Sequence, residues 1–113
     1  MNNVIFYRDQ YGNSEVEDYL QLLQNNNDKD SRIKANKIIA YIGMLEKHGL
    51  GIGEPYIKRI NKDIWELRPI RNRILFANYE NNKFILLNVF IKQTKKTPKK
   101  EIKKAENMLE KEW

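Results

Sequence analysis

The stretch Trp65-Glu66-Leu67-Arg68-Pro69-Ile70-Arg71-Asn72-Arg73-Ile74-Leu75-Phe76 decides the fold. Apolar residues alternate on both sides of a central break, the pattern of two strands joined by a tight turn. The same stretch holds the arginines Arg68, Arg71 and Arg73. A guanidinium keeps its charge at any physiological pH, and its planar fork of donors matches phosphate oxygens. A small sheet that sets such forks on one face is suited to polyanions, which points toward RNA or DNA.

Working outward, Val4 to Tyr7 reads as a short first strand. Ser14 and Glu17 form a capping box. Val16, Tyr19, Leu20 and Leu23 then recur at helical spacing and predict a helix over 14–24. After the polar break at Asn25–Asp28, a second helix is expected over 29–48. Its apolar stripe is Ala35, Ile38, Ile39, Ile42 and Leu45, and Gly49 is placed to stop it. Strand character returns at 56–60, 63–68, 72–79 and 83–92, with turns at Asn61-Lys62 and Glu80-Asn81-Asn82. Thr97 is placed as an N-cap and Pro98 as the first residue of a last helix, over 98–111. The expectation is an α+β fold: strand, two helices, a four-strand meander and a C-terminal helix. The sheet is read as small and antiparallel, with helices packed on one face and the other face partly open.

The 113 residues are read as one domain spanning 1–113. Hydrophobic content of 41% is that of a globular protein. Without cysteine there is no disulfide framework, thiolate metal site or thiol nucleophile. No apolar run reaches membrane-span length, and the N-terminus lacks signal-peptide character, so a cytoplasmic protein without membrane contact is expected. The charge is uneven: residues 55–104 hold 14 Lys or Arg against 4 Asp or Glu, whereas residues 1–54 hold 6 against 8. Basic character gathered in one segment favours a polyanionic partner. The Gly49–Gly53 loop lacks phosphate-loop spacing and is not a nucleotide site.

Strand alternation sorts the side chains. Ile85, Leu87, Val89 and Ile91 read as the covered face of the last strand, with Ile74 and Phe76 inward. The open face then collects Glu66, Arg68, Arg73, Asn88, Phe90 and Lys92, joined by Lys58. Phe84 and Leu86 alternate onto that same open side. Lys95, Lys96, Lys99 and Lys100 lie just before and within the start of the last helix. Cations hold phosphates, and Phe90 offers a ring for a splayed base, which suits single-stranded RNA. Glu66 is either a structural ion-pair partner of the arginines or a catalytic carboxylate. Arg71 is read as a solvated charge in the turn or a long-range phosphate contact. His48 is read as a C-terminal helix charge. Trp65 and Trp113 are read as packing groups.

Trp65 to Arg68, Arg73 to Phe76, and Val89-Phe90-Ile91-Lys92-Gln93-Thr94-Lys95-Lys96-Thr97-Pro98 with Glu101, Ile102 and Ala105 beyond resemble the RelE/ParE toxin superfamily. The similarity is greatest to its phage-derived HigB-like branch, over residues 64–106. That resemblance implies a RelE-like fold and the toxin of a type II toxin–antitoxin pair. The implied activity is ribosome-dependent and metal-independent: an mRNA endoribonuclease, or mRNA interferase, that inhibits translation and needs no cofactor. In such enzymes a ribose 2′-hydroxyl attacks the adjacent phosphate. The implied partners are the ribosome, mRNA and a HigA-like helix-turn-helix antitoxin in a heterotetramer.

Carried over residue by residue, Arg68, Arg73, Lys92 and Glu66 form the implied catalytic set. Arg68 and Arg73 would hold the phosphate, with Lys92 a further phosphate ligand or proton donor. Lys58, Phe90, Lys95 and Lys96 form the RNA-binding set. The chain departs from many relatives at Asn88, where they carry a histidine. That leaves a lysine, Glu66 or Tyr56 as candidate bases. Two other readings fit the same residues: a ParE-like DNA gyrase poison, and a non-catalytic nucleic-acid-binding module.

Overall fold

The computed structural model describes residues 2–80 and 82–112. The expectations for Trp113 and for Asn81 in its turn lie outside them. The element order is β1 (Asn3–Phe6), α1 (Glu15–Asn25), α2 (Lys29–His48), a short 3₁₀ helix (Gly49–Ile52), β2 (Ile57–Arg59), β3 (Trp65–Leu67), β4 (Asn72–Tyr79), β5 (Lys83–Ile91) and α3 (Lys99–Glu112).

Local chemistry sets the helix ends. The Ser14 hydroxyl accepts from the Glu17 amide at 3.1 Å, and the Asp28 carboxylate accepts from the Ser31 amide at 2.7 Å. Gly49 ends α2 with φ at 60°, a conformation open to a residue without Cβ. Ala35, Ile38 and Leu45 are buried, but Ile39 is 46% exposed. It sits one residue round the helix from a stripe narrower than the sequence suggested.

The five strands form one sheet in the order β1-β5-β4-β3-β2. β2 to β5 make the expected antiparallel meander. The sheet is nevertheless mixed, because β1 adds to the free edge of β5 in parallel, with Val4 opposite Phe84 and Phe6 opposite Leu86.

The helix pair packs on one face. Val16, Leu23, Ala35, Ile38 and Leu45 meet Leu67, Ile74, Phe76, Phe84 and Leu86 there. The second face is shared. At one end Ala105 and Leu109 of α3 seal Ile64, Leu75, Ala77, Ile85 and Leu87. At the other end the polar residues Glu66, Arg73 and Asn88 are buried beneath the segment that leads into α3 and its first turn, so this face is less open than the sequence suggested.

Strict alternation mis-sorts β5. Phe84 and Leu86 lie under the helix pair, while Ile85 and Leu87 lie under α3. The cause is a bulge: Leu75 pairs with Asn88 and Phe76 with Leu86, so Leu87 is an extra residue on β5. An extra residue resets the side-chain phase. It brings Val89 round to the helix-pair cluster and leaves Asn88 and Phe90 on the second face.

Ile70, in the β3–β4 turn, has φ at 59° and is 46% exposed. A β-branched residue in the left-handed region is strained, whereas asparagine tolerates it. Ile70→Asn should therefore stabilise the fold by about 1 kcal/mol, read as a higher urea midpoint with unchanged slope.

Candidate functional site

Glu66 is the centre of the polar end of the second face. It is 3% exposed, on the middle of three residues in β3. Its register neighbours across the sheet are Lys58 on β2 and Leu75 on β4. One carboxylate oxygen, Oε1, lies 3.3 Å from Arg68 Nε and 3.9 Å from Arg73 Nε. The other, Oε2, accepts a hydrogen bond from the Thr97 hydroxyl at 2.8 Å. A buried carboxylate is tolerated when its lone pairs are filled in this way.

The two arginines differ. Arg73 is buried, and its Nη1 donates to the carbonyls of Ile70 and Asn72, both at 2.8 Å. The strained Ile70 turn thus supplies an acceptor that aims the guanidinium. Burial, with Arg68 beside it, lowers the Arg73 pKa from the ordinary arginine value, opposed by Glu66. The group still stays charged at physiological pH.

Arg68 is more open and hangs from its backbone, whose amide donates to the Tyr56 carbonyl at 2.9 Å. Its Nε is buried and close to Glu66 but forms no aligned hydrogen bond. A guanidinium held mainly by charge can turn its fork toward an incoming oxyanion without breaking a directional bond.

These residues line one narrow cleft with Phe90, Lys92, Lys95, Lys96, Thr94 and Thr97. Seven of the eight residues singled out from the sequence therefore come together. The exception is Lys58, which shares the face opposite Glu66 but does not line the cleft. Among the described residues Lys92, Lys95 and Lys96 have no ion pair within 4.0 Å. One carboxylate thus faces five cations, and such a cleft attracts phosphate.

Arg71 is exposed, as expected of a charge in the turn, and it also has a structural bond. Its Nη2 donates to the Lys92 carbonyl at 2.9 Å, and the Lys92 amide donates to the Arg71 carbonyl at 2.7 Å. It ties the end of β5 to the turn and so places Lys92. Thr97 also differs from its sequence role. α3 begins at Lys99, the Glu101 and Ile102 amides reach the Pro98 carbonyl, and the Thr97 hydroxyl goes to Glu66. Only the strand-to-helix juxtaposition reveals this, because Thr97 and Glu66 are 31 residues apart.

Asn88 is fully buried, and its Nδ2 donates to the Glu101 carbonyl at 3.2 Å and to Glu101 Oε1 at 2.9 Å. It anchors the first turn of α3. His48 is exposed at the end of α2 and does not line the cleft. Tyr56 packs edge-on against Tyr41 at 5.4 Å and does not line the cleft.

No helix among the described residues is long and apolar enough to cross a membrane. No curated protein matches the chain. A sequence profile of the family described as Phage derived protein Gp49-like (DUF891) matches residues 22–110. That span runs from the end of α1 through most of α3 and holds every residue of the cleft. The chain belongs to this Gp49-like family of phage-derived proteins, a RelE-like toxin family.

Proposed function

We propose that the protein is the toxin of a type II toxin–antitoxin pair, of HigB-like type, and that it cuts mRNA on the ribosome without a metal. The observation that carries this reading is the cleft in which Arg68, Arg73, Lys92, Lys95 and Lys96 converge around the single carboxylate of Glu66. The partners in this reading are the ribosome, its mRNA and a small HigA-like helix-turn-helix antitoxin that holds the toxin inactive in a heterotetramer.

In the reaction a ribose 2′-oxygen attacks the neighbouring phosphorus. The bond from phosphorus to the 5′-oxygen breaks, leaving a 2′,3′-cyclic phosphate and a 5′-hydroxyl. Charge builds on the non-bridging oxygens as the fifth bond forms. Arg68 and Arg73 meet that charge, and preorganised donors in a partly dry site act strongly. Glu66 holds both guanidiniums and is itself held by Thr97, so it positions the arginines. Lys92 delivers the proton to the departing 5′-oxygen. The 2′-hydroxyl proton passes to a second lysine of the same cluster, Lys95 or Lys96, which line the cleft beside the arginines.

Mapping the 5′ ends of cellular mRNA after brief induction tests this reading. New ends in phase with codons are expected. Intact message together with double-strand DNA breaks would overturn it in favour of a gyrase target.

A further inference from the structure

β1 runs beside only part of β5. It ends at Phe6, opposite Leu86, and the Tyr7 amide still reaches the Leu86 carbonyl at 2.8 Å. Beyond it, among the described residues, no strand lies on that side of β5. The bulge at Leu87 follows at once, and then the strand end that carries Phe90 and leads to Lys92. On this bare edge the Val89 amide is taken by a side chain: it donates to Glu15 Oε2 at 2.9 Å. The other oxygen, Oε1, pairs with the Lys104 ammonium. One carboxylate thus joins the start of α1, the end of β5 and α3. An acidic residue in a first turn ordinarily serves its own helix. Here Ser14 caps the Glu17 amide, and Glu15 turns away to the sheet. α1 is itself fastened to the facing strand, because the Tyr19 hydroxyl donates to Asn72 Oδ1 at 2.7 Å and Asn72 stands opposite Ile91.

We infer that Glu15 is a positioning residue for the cut: through the Val89 amide it fixes the end of β5, and with it the place of the Lys92 ammonium. The inference rests on the reading that Lys92 protonates the departing 5′-oxygen. A bulge bends and twists the strand that contains it, so pairing with β4 on one edge alone leaves the strand end poorly fixed. Arg71 ties Lys92 on the β4 side. Glu15 supplies the missing partner just upstream on the other side. That bond runs from an amide to a carboxylate, the stronger, charge-assisted kind. The pair with Lys104 adds less, because both side chains are partly exposed, at 30% and 48%. A general acid works only within hydrogen-bond reach of the oxygen it serves. A misplacement of about 1 Å costs about 10²-fold in rate. Glu15 does not line the cleft, so it acts through the backbone of β5.

The test is single-turnover cleavage on ribosomes programmed with either of two messages, one ordinary and one with sulfur replacing the bridging 5′-oxygen at the mapped cut. Sulfur leaves as a thiolate and needs no proton. A defect in the general acid therefore vanishes on the sulfur message, whereas a loosened fold or a weakened arginine site slows both. Glu15→Ala is expected to cut the ordinary message about 10–100-fold more slowly and the sulfur message at the wild-type rate. Lys92→Ala should show the same pattern. Glu15→Gln, which keeps an oxygen for the Val89 amide, should restore most of the rate. Glu15→Asp keeps the charge at the helix start but falls short of Val89, so it should match Glu15→Ala and replaces it if the alanine variant does not fold. A Glu15→Ala protein that cuts the ordinary message at full rate, or is equally slowed on both, would overturn the inference and leave the nuclease reading intact. A Lys92→Ala defect that sulfur does not relieve would overturn it too, by removing the proton donor. Failure of the wild-type protein to cut either message would overturn the nuclease reading and this inference with it.

Discussion

Arg68→Ala is expected to lower mRNA cleavage by about 10²–10³-fold and to abolish growth arrest, with the fold unchanged. Arg68 is the more exposed of the two arginines, and its Nε has no aligned hydrogen bond. Its removal therefore leaves few protein contacts unsatisfied. Glu66 keeps Arg73 and Thr97 as partners. The loss then falls on the transition state, where the phosphate oxygens gain charge and one of two guanidiniums is missing. Cleavage by the purified variant on programmed ribosomes, beside its thermal midpoint, separates the two effects. Arg68→Lys should recover little, because one ammonium does not reproduce the planar fork. Full cleavage by Arg68→Ala would remove the arginine from the site.

Glu66→Ala is expected to act in the opposite way, chiefly on stability. Its side chain is 4% exposed and Arg73's is 8%. Truncation leaves a buried guanidinium without a counter-charge, next to Arg68. Breaking a buried pair from one side costs about 3–5 kcal/mol. Hydration of Arg68, 22% exposed, places the expected loss near the lower end. For a domain of this size that lowers the midpoint by about 10 °C. The double variant Glu66→Ala with Arg68→Ala should be more stable than Glu66→Ala alone, because one of the repelling charges is gone. A Glu66→Ala protein as stable as the wild type would show that the carboxylate does not hold the arginines.

Much of this site is legible in the chain because it sits on strands. Glu66, Arg68 and Arg73 follow from period-two alternation across one turn, and register places them together. Lys92, Lys95 and Lys96 follow from charge placement at the end of β5. The helices announce themselves through caps at Ser14 and Asp28 and the stop at Gly49.

Three features needed the folded chain. The β5 bulge at Leu87 cannot be read from a run that is apolar on both faces, so Phe84 and Leu86 are assigned to the wrong side by alternation. The parallel docking of β1 depends on a free sheet edge, which no local pattern encodes. Thr97 joins Glu66, and Asn88 joins Glu101, only through the path of the chain into α3. The Asn88 contact gives the missing histidine a physical account: the position is used to fasten a helix.

The most direct measurement is the chemistry of the cut ends. Purified protein is incubated with ribosomes programmed with a defined message, and the fragments are tested for adapter ligation before and after treatment with a polynucleotide kinase. The proposed mechanism predicts 5′-hydroxyl ends that ligate only after phosphorylation, with 2′,3′-cyclic phosphates on the upstream fragments, and neither product with Arg68→Ala. Ends that ligate directly through a 5′-phosphate, or message left whole by active protein, would contradict it.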